Sequence, residues 1–340
     1  MRTLLFSLAL LVAACATNSA GLAPAQPPLN RIVHDAEAAG FSGAVLVVRD
    51  NHVLLDEGVG AINGVSMRAD TRFRIASAGK QFTSAALLLC VQRGLLSLDS
   101  RLADVLPNVP ADRANISMRQ ILSYTSGLSS SDAGDDAQNA DEAVRAVLAA
   151  PMVAQPGERF IYSNANYILA AAIVEHVTHT PFSAFVRRDV FDAAGLRDTG
   201  QAIDPNVSGL APITEELPPR LRHPAWSALA YYSTTHDLRR WIDNLQTGRL
   251  LSPSNAAELF RPVAPIQEGS TALGWFVGTA PHGAQRIFTR GNEDFGANSS
   301  IYFYPTQRTL IVVLTHAGDS NDDMSWSRTL QQRLEAALQL

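Results

Sequence analysis

Two short runs, Gly43–Arg49 (GAVLVVR) and His52–Gly58 (HVLLDEG), flank the dipeptide Asp50-Asn51. Both are apolar and rich in β-branched residues, and a polar pair between two such runs is a hairpin signal, so they read as antiparallel strands. The same kind of segment returns near the far end, at Ala272–Gly278, Arg286–Arg290, Ser299–Tyr304 and Thr309–Thr315, with Pro305-Thr306 as the last turn. Ser325–Leu340 closes the chain as an amphipathic helix, with Trp326, Leu330, Leu334 and Leu338 on one face. Between the two ends, Gln81–Gly94, Ser117–Ser123, Ala140–Ala150, Ala165–Thr178 and Asp237–Gln246 have helical spacing or composition, punctuated by Pro and Gly. This pattern predicts an α/β (α+β) fold. An antiparallel sheet forms from both chain ends, residues 31–75 and 265–340, flanked by helices, and a mostly helical part, residues 76–264, is inserted with a cleft at the seam.

Composition narrows the function. The 340 residues are 46% hydrophobic and 17% charged, which excludes collagen-like, coiled-coil and disordered chains. With 27 basic against 32 acidic side chains and no run of Lys or Arg, no surface is expected to track a phosphate backbone, so no nucleic-acid partner is expected. Of the basic residues, 26 are Arg and one is Lys, Lys80. Arg keeps its proton at ordinary pH whereas a buried Lys can lose it, so the one retained Lys is a place to look for chemistry. Ser129–Asp141 (SSSDAGDDAQNAD) is acidic and lacks EF-hand spacing, which reads as a solvated loop.

The N-terminus reads as an export signal. The apolar run Leu4–Ala14 is shorter than the roughly 20 residues a spanning helix needs and suits a signal peptide of residues 1–14. Val12-Ala13-Ala14-Cys15 resembles a bacterial lipobox, so Cys15 is expected to carry a lipid, with ordinary cleavage near Ala14 or Ala20 as the alternative. Residues 15–30, with Pro24, Pro27 and Pro28, read as an extended tether. The expected location is exported, as a periplasmic or outer-membrane lipoprotein. Cys90, in Leu87-Leu88-Leu89-Cys90-Val91, is expected to be a buried thiol, and no disulfide framework is available.

The chemistry centres on Ser77-Ala78-Gly79-Lys80. Three residues apart in the first turn of a helix, hydroxyl and amine share one face near the positive end of the helix dipole. A Ser hydroxyl is a poor nucleophile until a neighbour takes its proton, and a lysine desolvated among apolar residues can do so. A second element, Tyr162-Ser163-Asn164, follows Pro156-Gly157-Glu158, and taken alone it is also ordinary turn sequence with Asn164 as a helix N-cap.

Taken together, the chain resembles the serine β-lactamase-like superfamily: the class C β-lactamase, penicillin-binding protein and family VIII esterase group. The similar phrases run in order: Phe41–Leu46, Phe73–Lys80, Ile121–Leu128, Tyr162–Tyr167, Tyr232–Leu238 and Leu273–Trp275. The resemblance implies a β-lactamase/transpeptidase-like fold. It also implies that Ser77 is the acylated nucleophile, Lys80 its base, Tyr162 a proton shuttle and Asn164 a ligand of Lys80 or substrate. The third family motif departs, because Thr289-Arg290-Gly291 stands where the family has Lys or His, a small residue and Gly. Arg290 supplies a cation, but on a strand it points away from the face of Thr289. The amides of Ser77 and Asn292 would form the oxyanion hole in this alignment.

The reading is an ester or amide hydrolase acting by an acyl-enzyme, esterase- or D-amino-acid-peptidase-like, on a small-molecule or cell-wall-derived substrate. Two alternatives remain open: a class C-like β-lactamase, and a lipid-tethered, non-catalytic binding module for cell-wall fragments. No cofactor is expected. No G-x-S-x-G, G-x-G-x-x-G or Walker motif occurs, and His176 and His179 near a helix end lack the H-E-x-x-H context, so no metal site is expected.

Overall fold

The computed structural model describes residues 28–340 apart from 130–132, 134–136, 138, 202–206, 214–230, 294–295 and 318–324. The expected signal segment and Cys15 lie outside the described residues.

The hairpin of β1 (Gly43–Arg49) and β2 (His52–Val59) turns through Asp50 and Asn51, both in the left-handed region at φ 50° and 64°. Asp and Asn tolerate that conformation, and it matches the right-handed twist of the strands they join. The later strands are β3 (Pro265–Ile266), β4 (Gly269–Thr271), β5 (Phe276–Thr279), β6 (Gln285–Asn292), β7 (Asn298–Tyr304) and β8 (Thr309–Thr315). They form one antiparallel sheet in the order β2-β1-β8-β7-β6-β5-β4-β3, closed between chain ends by β1 on β8, with Gly43 opposite Thr315 and Arg49 opposite Thr309. The sheet from both termini is therefore the observed architecture.

Every residue of β7 and β8 is buried, and so is all of β1 except Arg49. On one face Val45, Val47, Ile311 and Val313 meet α1 (Leu29–Ala38) and α5 (Ser325–Ala337). On the other, Leu46, Val48, Val312 and Leu314 join the helical core. Cover on both faces is why these strands read as unbroken apolar runs rather than alternating ones. The central helix α2 (Lys80–Gln92) is buried from Lys80 through Cys90, its polar residues Lys80, Gln81, Thr83 and Ser84 included. It packs against α3 (Ala165–Thr178), and Phe82 sits edge-on to Phe191, Tyr231 and Trp241, the last from α4 (Thr235–Thr247).

Three local expectations are corrected. Ala272–Gly278 is not one strand: the chain turns at Gly274, φ 77°, where a Cβ would lie 2.4 Å from Ser84 Oγ, and the strands lie on either side. Leu29 and Asn30, expected at the end of the extended tether, form the first turn of α1 after Pro28. Asn164 stands at the N-cap of α3 but its side chain makes no capping hydrogen bond.

Candidate active site

The nucleophile candidate lies where a short strand runs into α2. Phe73–Arg74 pairs with Tyr231–Ser233, and Ile75 N–H donates to the Tyr231 carbonyl at 3.0 Å. The chain then enters a tight 3₁₀ turn, Ala76–Gly79, with Ala76 at φ 48°. A left-handed alanine costs on the order of 1 kcal/mol and persists only where its surroundings hold it. Gly79 is required here, since a Cβ would lie 2.2 Å from Cδ2 of Tyr231. The buried Gln81 braces the turn: its Nε2 donates to the Ala78 carbonyl at 2.8 Å, and its Oε1 accepts from Trp241 Nε1 at 2.8 Å.

Three of the residues singled out in the sequence close into a triangle. Lys80 Nζ donates to Ser77 Oγ at 2.6 Å and to the Tyr162 hydroxyl at 2.7 Å, and the Tyr162 hydroxyl donates to Ser77 Oγ at 2.6 Å. Lys80 is fully buried, whereas Tyr162 is 38% exposed. The ammonium also faces the rings of Tyr162 and Tyr167, 4.9 and 5.8 Å from their centroids, a cation–π setting that suits a charge shielded from water.

Sequence reasoning assigned no role to Tyr124, although it lies within the quoted phrase Ile121–Leu128. Its ring stacks on Tyr162 at 4.9 Å and 23°, on a backbone held at φ 61°. Burial, reinforced by Tyr167 and Tyr162, pushes the Tyr124 hydroxyl well above the ordinary tyrosine range, and burial does the same to Tyr167. Both neighbours of Tyr162 are therefore kept as neutral phenols.

The remaining candidates are placed unevenly. Asn164 makes no hydrogen bond to Lys80, and its buried Oδ1 has no partner among the described residues. On β6, Arg290 and Asn292 line the same cavity as Ser77 and Tyr162, while Thr289 is buried and does not line it. Gly291 faces the Ser77 turn: a Cβ there would lie 2.2 Å from the Ile75 carbonyl oxygen and 2.9 Å from Ala76 Cβ. The Ile75 oxygen also accepts from Ser299 Oγ at 2.8 Å, so strand and turn are joined at one point.

The cavity, of about 580 Å³, has an apolar wall of Phe160, Phe276, Phe288 and Ile266. Gln267 and Glu268, on the turn between β3 and β4, complete its lining. Two other cavities, of about 530 and 680 Å³, contain neither Ser77 nor Tyr162.

Comparison with known proteins gives the family and the fold. The Beta-lactamase family model matches residues 29–334. Protein flp of Staphylococcus aureus strain MW2 is 26% identical over 314 residues, which cover 84% of this chain and 61% of that protein, so the chain spans about three-fifths of its relative's length. Among solved structures, a penicillin binding protein from Bacillus halodurans superposes with a TM-score of 0.77 at 25% identity, covering 91% of this chain and 99% of that one. The D-amino acid amidase of Ochrobactrum anthropi SV3, complexed with D-phenylalanine, gives 0.75 at 20% identity, with 92% and 98% covered.

Proposed function

Because the chain belongs to the beta-lactamase family, we propose that it is a serine hydrolase that passes the acyl group of an ester or amide to Ser77 and then releases it to water. The observation that carries this reading is the triangle of Ser77, Lys80 and Tyr162, with all three sides at hydrogen-bond length. For attack, one of those bonds runs the other way, with Ser77 donating to a Lys80 or Tyr162 that has given up a proton. Ser77 Oγ then bonds to the carbonyl carbon, and the carbonyl oxygen takes the negative charge against the amides of Ser77 and Asn292. The C–X bond breaks as Tyr162 protonates the leaving group X. Water repeats the sequence on the acyl-enzyme, giving the free acid and restoring Ser77. Asn164 is not among the residues that line the cavity with Ser77 and its Oδ1 is buried, so the proposed mechanism gives it no substrate contact.

Ester or amide turnover is favoured over β-lactam hydrolysis because Thr289 is buried away from the cavity and brings no cation there. The amidase among the structural neighbours acts, by its name, on D-amino acid amides, and a D-amino-acid amide or peptide is within this class. The same proposal puts the protein outside the inner membrane, tethered by a lipid on Cys15.

The test is intact mass and nitrophenol release with a short-chain p-nitrophenyl ester and, separately, a penicillin, comparing wild type with Ser77→Ala. An adduct or burst that requires Ser77 is expected with the ester. Full turnover in Ser77→Ala would sink the mechanism, and a tightly held ligand with neither adduct nor turnover would point to the binding module.

A further inference from the structure

Arg290 lines the cavity as a cation, but its charge is already answered. Its guanidinium pairs with Glu268 and lies over the rings of Phe288 and Tyr302, 4.7 and 5.7 Å from their centroids, with 12% of the side chain exposed. Glu268 is held from two further directions, by Arg328 Nη2 at 3.0 Å and Arg286 Nη2 at 3.6 Å. Burial works to raise the Glu268 carboxyl, but the hydrogen bond and charge of Arg290, with the charges of Arg328 and Arg286, hold it below the usual carboxylate range. Arg286 is shared with Glu335, 3.3 Å away, and Arg328 is 37% exposed.

The cavity that Ser77 and this ion pair line together has an aromatic wall. Phe276 stacks on Phe288 at 5.5 Å, and Phe160 meets Phe276 edge-on at 6.4 Å. A substrate group entering here exchanges water for phenyl faces and meets an Arg290 already paired with Glu268.

We propose that the site selects a neutral acyl group ending in an aryl or branched apolar moiety, and that Glu268 bars a carboxylate by occupying the guanidinium that would otherwise receive one. This rests on the hydrolase reading of the same cavity. An incoming carboxylate either displaces Glu268 from Arg290 or is desolvated beside a like charge, and both are unfavourable. A phenyl group meets neither obstacle and gains from burial against Phe276 and Phe288.

The experiment compares kcat/KM for p-nitrophenyl 4-phenylbutyrate with that for mono-p-nitrophenyl glutarate, two esters of similar reach that differ in their far end. Wild type is expected to favour the neutral ester by at least about 10-fold, the discrimination typical of a hydrophobic pocket. Glu268→Gln, which keeps the side-chain shape and removes the charge, is expected to raise turnover of the glutarate ester and lower that ratio about 10-fold. Adding Arg290→Met should abolish the gain. A wild type that prefers the glutarate ester overturns the proposal without any variant, and so does an unchanged ratio in Glu268→Gln. If neither ester is turned over, the hydrolase reading fails by itself. Calorimetric binding of the two esters to the Ser77→Ala protein then decides the selectivity, with equal or tighter binding of the anionic ester overturning it.

Discussion

Gly291 and Ile75 meet backbone to backbone, so closely that a Cβ at position 291 would lie 2.2 Å from the Ile75 carbonyl oxygen. The contact sets the distance between β6, which carries Asn292, and the turn that carries Ser77. Gly291→Ala is therefore expected to separate the two amides proposed as the oxyanion hole while leaving the triangle of side chains in place. Overpacking of this kind costs about 1–3 kcal/mol of stability. Loss of one oxyanion donor lowers kcat on the order of 10²-fold. Thermal melting and ester kinetics on the same preparation check both, and near-normal kcat in a folded variant would mean that the amide of Asn292 plays no part.

Lys80→Arg separates charge from basicity. The ammonium is fully buried between two oxygens 2.6 and 2.7 Å away, and a guanidinium keeps the charge but neither fits that space nor gives up a proton. Acylation, followed by intact mass after single turnover, is expected to slow by about 10² or more, the usual contribution of a positioned base. An Arg variant that acylates at the wild-type rate would make Lys80 a structural residue.

How much of this was legible depended on whether the cause was local. Ser77 and Lys80 share one turn, so three-residue spacing was enough to place their side chains together. Tyr162 lies 85 residues from Ser77 and entered only through family resemblance. The strands β1, β7 and β8 were readable because burial on both faces leaves a continuous apolar run. The break at Gly274 was not, since it answers to Ser84 on a distant helix. Glu268 gave no signal at all, because its arginines lie 18, 22 and 60 residues along the chain, at 286, 290 and 328, and only the folded sheet edge gathers them. Tyr124 stood inside a family-like phrase, but stacking on Tyr162 is a tertiary contact that spacing does not encode.

The proposed anchor makes a prediction separate from the chemistry. A lipidated Cys15 holds the protein in the membrane fraction until detergent is added, whereas Cys15→Ala should appear in the soluble fraction with unchanged specific activity. Fractionation of cells expressing each form, read by ester turnover, checks it. Retention of the variant in the membrane pellet would count against the anchor.

His316, just past β8, is buried against the strand that leads to Ser77. Its Nε2 accepts from Arg74 N–H at 2.8 Å, and its Nδ1 donates to the carbonyls of Pro212 and Ala211 at 3.0 and 3.1 Å. Burial depresses its pKa from 6.5 to about 4, with the charge of Arg74 acting in the same direction. The unfolded chain therefore binds a proton at this position below pH 6.5, and the folded protein only below about 4. Between those values unfolding takes up a proton, so stability is complete above the upper value and is lost as pH falls towards the lower one. The difference corresponds to about 3 kcal/mol at the acid end. His316→Asn, which cannot take up the proton, should be less stable at neutral pH but lose less on acidification. Urea unfolding of both proteins at about pH 7.5, 5.5 and 4.5 reads the slope, and parallel lines for wild type and variant would show that His316 is not the group responsible.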